Sequence, residues 1–289
     1  MKIIDGKKIA DSIRHFLTSE IQKHPHQAPG LAFILIGDDP ASKTYVKMKA
    51  SACKEVGIHS HVIHLPHDVP QDLLLLEIER LNAHDAIDGI LVQQPLPRHL
   101  DPLKVLQAVN PDKDVDGFHP VNIGKLLLQD SSGFVPCTPL GILRLLEAYA
   151  IPTQGRHVVI VGRSLIVGKP LANLLSEKSP RGNATVTLCH GQTPDLASYT
   201  KQADILIVAV GRQELITADH VKPGAVVIDV GINRVHHQGK TQLLGDVHFP
   251  SVAEQASMIT PVPGGVGPMT IALLLENTYK AFSKKHFSK

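Results

Sequence analysis

Short apolar runs alternate with amphipathic runs along almost the whole chain. Leu31–Ile36 is continuously apolar and ends in Gly37-Asp38-Asp39-Pro40, the pattern of a buried strand closed by a turn. A helical pattern follows from about Ala41 to Val56 and is stopped by Gly57. His61–Leu65 reads as a second strand, Leu73–Asn82 as a helix and Gly89–Val92 as a third strand. After a helical stretch at Leu140–Tyr149 the rhythm resumes. His157–Val161, Thr185–Cys189, Ile205–Val210 and Ala225–Val230 read as strands, and Pro170–Ser176 reads as a helix. A last helix runs from about Met269 to Lys285, where Leu273, Leu274, Leu275, Tyr279 and Phe282 are expected to form one apolar stripe. The chain begins with a short strand, a turn at Asp5-Gly6 and an amphipathic helix. Such βαβ alternation predicts an α/β fold with mostly parallel sheets covered by helices on both faces.

At 289 residues the chain has room for about two domains of ~150 residues each. The boundary is placed near residue 140, giving domains 1–139 and 140–268, with helix 269–289 packing back on the first. A ligand cleft is expected between them. Apolar residues at 43% and charged residues at 19% exclude wholesale disorder. A net charge of +2 provides no electrostatic footprint for nucleic acid or an anionic membrane. Cys53, Cys137 and Cys189 are too few and too scattered for a disulfide framework or zinc ribbon. With no apolar signal core at the start and no run near ~20 apolar residues, a cytoplasmic protein is expected.

The segment from Gly162 to Pro170 joins an apolar strand to a helix, the context of a phosphate-binding turn. Gly162 would permit the sharp turn and Gly168 a close backbone approach, and Pro170 suits the first helical turn. Pyrophosphate would sit on the helix N-terminus. The spacing is not G-x-G-x-x-G, and a plain strand-to-helix connection has the same outline. After the next strand stands His190, where NAD enzymes commonly place a carboxylate on the ribose. Arg163 and His190 could attract a 2′-phosphate, which favours NADP over NAD, although a strand-end polar residue facing water has the same pattern.

In the first half, Tyr45 and Lys49 share a helical face. A lysine beside a tyrosine hydroxyl in a cleft can move protons. The spacing alone equally describes a solvated lysine covering the ring with its stem. Gln93-Gln94-Pro95-Leu96-Pro97 follows a strand at its carboxyl end, where open α/β sheets bind ligands. Asp112-Lys113-Asp114-Val115-Asp116 is a carboxylate-rich turn without the ligand set of a calcium loop. Pro261–Thr270 is dense in Pro and Gly, as a loop approaching a ligand or another segment is. His59, His61, His64 and His67 lack a completing Cys or Glu and are read as a surface feature, so no metal is expected.

Six segments in order carry a family resemblance: Tyr45–Lys49, Gly89–Pro97, Lys113–Phe118, Gly162–Pro170, Val230–Asn233 and Thr260–Thr270. Together they closely resemble the bifunctional methylenetetrahydrofolate dehydrogenase/methenyltetrahydrofolate cyclohydrolase family over essentially the whole chain. The resemblance implies an N-terminal α/β catalytic domain, a Rossmann-like NADP-binding domain and folate in the cleft. It implies hydride transfer from 5,10-methylenetetrahydrofolate to NADP⁺, then hydrolysis of the methenyl product to 10-formyltetrahydrofolate, without a metal.

By the same resemblance Lys49 is the main catalytic residue of the hydrolytic step. Tyr45 stacks on the substrate and hydrogen-bonds Lys49, Gln93 positions Lys49, and Asp116 binds the pterin edge. Pro97, Pro263, Gly264 and Gly265 border the folate. Gly162, Arg163, Ser164, Gly168, Pro170, His190 and Ile232 hold NADP. A homodimer is implied, with tetrahydrofolate derivatives as the ligands and no nucleic-acid or membrane partner. Ser51, Gln94 and Gly191 depart from the usual family pattern. Retention of Tyr45, Lys49 and Gln93 argues against a dehydrogenase that lost hydrolysis or a non-catalytic binder. A hydroxy-acid dehydrogenase would need a cleft His with a carboxylate partner and a substrate Arg, and no such set is evident in the sequence.

Overall fold

The structure, a computed structural model, describes residues 1–237 and 240–287. In chain order the elements are β1 (Lys2–Ile3), α1 (Gly6–Gln22), β2 (Gly30–Ile36), α2 (Pro40–Val56), β3 (His59–Leu65), α3 (Gln71–Ala83), β4 (Gly89–Val92), α4 (Pro102–Ala108), α5 (Pro120–Leu127) and α6 (Cys137–Ala148). They continue with β5 (His157–Val161), α7 (Gly168–Ser176), β6 (Thr185–Cys189), α8 (Leu196–Thr200), β7 (Ile205–Val208), β8 (Val226–Asp229), β9 (Asn233–His237), β10 (Lys240–Leu244), α9 (Phe249–Ala253), β11 (Met258–Ile259) and α10 (Val266–Phe287). A single 3₁₀ turn occupies Ala218–His220. No helix among the described residues is long and apolar enough to cross a membrane.

The chain divides into two compact units. One comprises residues 11–137 and 271–289, the other residues 1–10 and 138–270. The first is built on a parallel sheet of order β3-β2-β4. Every residue of β2 is buried, as an apolar strand between two neighbours requires. Edge strand β3 is largely exposed. Helix α2 starts where the Asp39 carboxylate accepts the Ser42 N–H at 2.7 Å, with Pro40 opening the first turn. It ends at Gly57, whose φ of +90° suits glycine, with the Gly57 N–H returned to the Cys53 carbonyl. These caps define the helix on which Tyr45 and Lys49 lie.

The loop from Asp114 to His119 is shaped by one buried side chain. Asp114, 4% exposed, accepts the Gly117 N–H at 3.2 Å, the His119 N–H at 2.7 Å and the Asn122 amide at 2.8 Å. Gly117 has φ +78°, and a Cβ there would lie 2.7 Å from the Val135–Pro136 backbone. From α10, the Asn277 amide donates to the Val115 carbonyl at 2.9 Å and the Val135 carbonyl at 3.1 Å. The expected single stripe on α10 is corrected: Ala272, Leu273, Leu274 and Leu275 are all buried, so the helix is enclosed on most faces there.

The second unit carries a six-stranded parallel sheet of order β1-β11-β8-β7-β5-β6. The direction of succession reverses after β6, so the switch point lies between β5 and β7. Val159, Val161, Leu206, Val208 and Val227 share one core with Val247, Val252 and Ile259. Residues 1–10, assigned by sequence to the first domain, belong to this unit because β1 extends its sheet. The Lys2 N–H bonds the Ser257 carbonyl and the Ile4 N–H the Ile259 carbonyl, both at 2.8 Å. The antiparallel hairpin β9–β10 and helices α4 and α5 have no counterpart in the pattern reading.

Burial pushes the Asp114 carboxyl from 3.8 up to about 6, against the lowering effect of the hydrogen bonds from Asn122 and His119. The native state therefore holds this proton more tightly than the unfolded chain, and the wild type loses stability as pH rises through that window. Asp114→Asn costs stability at every pH, since an amide cannot accept all three donors. Its deficit relative to wild type should shrink by about 1–2 kcal/mol between pH 5 and pH 8. Urea unfolding at the two pH values measures this, and a constant deficit would show that Asp114 is ionised throughout.

Candidate functional site

At the carboxyl end of β4 the chain leaves the sheet through Gln93, whose backbone N–H still bonds the Ile34 carbonyl at 2.9 Å. The Gln93 side chain reaches α2, where the Lys49 Nζ donates to its Oε1 at 3.0 Å. The other end of the amide is fixed as well, because Nε2 donates to the Gln94 carbonyl at 2.6 Å. Tyr45 and Lys49 are both half-buried on α2, one helical turn apart. Pro97 lies in the loop after β4, with its carbonyl accepting the Leu100 N–H at 3.1 Å.

Asp116 stands at the tip of the loop held by Asp114 and Asn277. Burial raises its carboxyl above the usual range, while the Lys49 charge and the Cys137 thiol pull it back down. The unit thus brings Lys49, Gln93 and Asp116 together: an amine, an amide that holds it and a carboxylate within its field. The Cys137 thiol is pushed well up, chiefly by burial, so it is a neutral S–H donor. That donor also serves the Val115 carbonyl at 3.4 Å. The sequence reading missed Asn277 and Cys137. One lay in an apolar helix and the other was weighed only for disulfides and metals.

In the six-stranded unit, Gly162 at the end of β5 has φ +126°, and a Cβ there would fall 2.1 Å from the Ala209 carbonyl oxygen. A Cβ on Gly168 would fall 1.9 Å from the Gly162 carbonyl oxygen. Both positions are closed to any side chain, so the backbone itself forms the floor of the turn. Arg163 and Ser164 are exposed, and Pro170 is buried in the first turn of α7. The Ser164 hydroxyl accepts the Val167 N–H at 3.1 Å. Val167, at the N-cap, gives α7 no side-chain cap, and the Lys169 N–H in the first turn bonds the Ser164 carbonyl at 3.1 Å.

His190, after β6, is half-buried; its ring Nδ1 accepts the Gln192 N–H at 3.2 Å. Ile232 follows β8 and is 40% exposed, an apolar side chain at a strand end where ligands bind. Pro263, Gly264 and Gly265 belong to this same unit, with the Gly264 carbonyl accepting the Lys7 N–H at 3.0 Å. They are therefore in a different unit from Lys49, Gln93 and Asp116.

The geometry of a glycine-floored turn before a helix fits a dinucleotide, and an amine–amide–carboxylate group fits proton transfer at a polar substrate. Comparison with known proteins gives both units a family. Residues 4–116 match the tetrahydrofolate dehydrogenase/cyclohydrolase catalytic domain, and residues 136–286 match its NAD(P)-binding domain. The bifunctional protein FolD of Chlorobium phaeobacteroides is 54% identical over 98% of this chain and 99% of its own. A crystal structure of the FolD dehydrogenase/cyclohydrolase from Campylobacter jejuni shares 50% identity with a TM-score of 0.94, covering 99% of each chain. The Trypanosoma brucei enzyme, solved with NADP cofactor and an inhibitor, shares 38% identity with a TM-score of 0.94 over 99% of this chain and 98% of its own. The chain belongs to the tetrahydrofolate dehydrogenase/cyclohydrolase family.

Proposed function

We propose that this chain oxidises 5,10-methylenetetrahydrofolate with NADP⁺ and hydrolyses the product to 10-formyltetrahydrofolate, with Lys49 as the proton-transfer residue of the second reaction. The observation that carries the reading is the 3.0 Å hydrogen bond from Lys49 to Gln93 beside Asp116. When bound, NADP⁺ supplies the hydride acceptor. Gly162 and Gly168 admit its pyrophosphate to the backbone at the start of α7, with Arg163, Ser164, Pro170, His190 and Ile232 around it. Arg163 and His190 offer nitrogen donors to a 2′-phosphate, and neither repels one as a carboxylate would.

Hydride loss leaves a methenyl carbon that is cationic and electrophilic. Gln93 holds the Lys49 amine through one N–H, and the unprotonated form of that amine has a lone pair for a proton. Water adds to the carbon as Lys49 takes the proton. The bond from that carbon to the pterin nitrogen then breaks as the hydroxyl of the adduct becomes the formyl C=O and gives its proton to solvent, while Lys49 passes the proton it took to the departing nitrogen. Asp116 accepts N–H groups from the pterin edge, Tyr45 stacks on the ring system, and Pro97, Pro263, Gly264 and Gly265 border the folate. The enzyme acts as a homodimer in the cytoplasm, a reading supported by family membership.

Two variants test the assignment. Lys49→Ala should lower hydrolysis of preformed 5,10-methenyltetrahydrofolate by about 100-fold or more, with a smaller loss of hydride transfer. Absorbance at the methenyl band follows hydrolysis and NADPH formation follows hydride transfer; retained ring opening would defeat the role of Lys49. Gly168→Ala should raise the NADP⁺ KM by about tenfold or more, the effect of losing about 1.4 kcal/mol of backbone contact. Hydrolysis assayed without dinucleotide should change little in that variant.

A further inference from the structure

At the ends of β7 and β8 in the six-stranded unit, one buried side chain gathers the backbone of two loops. Asp246 is 0% exposed. Its Oδ2 accepts the Val210 N–H at 2.7 Å and the Gly211 N–H at 2.9 Å, in the loop that leaves β7. Its Oδ1 accepts the Asn233 amide at 2.9 Å, just past Ile232 in the segment that leaves β8. The Asp246 backbone is itself held. Asp229, at the end of β8, accepts the Asp246 and Gly231 N–H groups on Oδ1 and the Val247 N–H on Oδ2, at 2.9–3.0 Å. Room for these carboxylates is made by two glycines. A Cβ on Gly231 would lie 2.3 Å from the Asp246 Cγ, and one on Gly245 would lie 1.8 Å from the Asp229 Oδ2.

The Val210–Gly211 loop is one wall of the crevice at the switch point between β5 and β7; Gly162 begins the other. Ile232 flanks it from the next strand. We infer that Asp246 is a positioning residue for the dinucleotide, setting the distance between the Val210–Gly211 backbone and the Ile232 segment. The inference rests on the proposed use of this crevice for NADP⁺. A carboxylate is required chemically, because all three partners are N–H donors and the side chain that accepts from them is fully buried. An amide at position 246 turns an NH₂ toward either the two backbone donors or the Asn233 amide. The Asn233 amide cannot reverse freely, since it also donates to the Gly245 carbonyl at 3.2 Å.

The test separates the two activities of one polypeptide. Asp246→Asn should raise the NADPH Kd, measured by cofactor fluorescence, and the NADP⁺ KM by about tenfold or more, as loss of a buried charged acceptor does. Its hydrolysis of preformed methenyl substrate, assayed without dinucleotide, should stay within about twofold of wild type. Asn233→Ala removes only one arm and should raise the same Kd by about threefold. If Asp246→Asn does not fold, Asn233→Ala decides the matter by the same comparison. An unchanged Kd in a folded variant, or equal loss of both activities, overturns the positioning role. A wild type that fails to bind NADPH overturns the NADP reading and this inference with it.

Discussion

Where a strand or helix ends, the chain must turn while its backbone N–H groups still need acceptors. In this protein buried aspartates meet that constraint. Asp114 gathers the N–H groups of Gly117 and His119, Asp229 those of Gly231, Asp246 and Val247, and Asp246 those of Val210 and Gly211. A carboxylate has lone pairs for several donors and no proton of its own to place, so one side chain can bend a whole loop. The residues proposed to touch ligands stand at the tips of these loops: Asp116 on the first and Ile232 beside the last.

This solution has a cost that glycine and proton binding share. The carboxylates need space next to backbone, so Gly231 and Gly245 stand where any Cβ would collide with Asp246 and Asp229. They also lie away from water, and burial pushes both Asp114 and Asp229 up to about 6. Asp229 receives three backbone hydrogen bonds that pull the other way, yet burial and the neighbouring Asp246 outweigh them. Energy spent on ionising these groups in the folded state is returned as loop geometry. Such local strain is expected where ligands are held rather than in the core.

The sequence pattern was informative for elements whose stability is local or whose burial is uniform. Leu31–Ile36 and His157–Val161 read as strands because both faces are covered, and α2 because Gly57 stops its pattern; its cap at Asp39 and first-turn Pro40 read only as the turn that closes the strand. Helix α5 was opaque because its cap is a histidine: the His119 ring accepts the Val121 N–H at 3.1 Å. Strand β1 has two residues and owes its place to β11, more than 250 positions away. The candidate site shows the same division. Family motifs carried Lys49, Gln93 and Asp116. Asn277 reaches Val115 across 162 positions, and no local pattern encodes such a bond.

The amide of Gln93 illustrates what a motif leaves open. A glutamine side chain can present either its oxygen or its NH₂ to a neighbour. Here the Gln94 carbonyl, fixed by the turn that follows β4, takes the Nε2 donor. The oxygen then faces α2, where it accepts from Lys49. A carboxylate in its place would bind the ammonium form more tightly and so leave no lone pair to take the proton of water, whereas an aliphatic side chain would leave the amine unheld. The neutral acceptor orients the lysine without adding a negative charge that would favour its ammonium form. The position of the amine is therefore set by a strand-end peptide in the sheet, and the helix that carries Lys49 only brings it within reach.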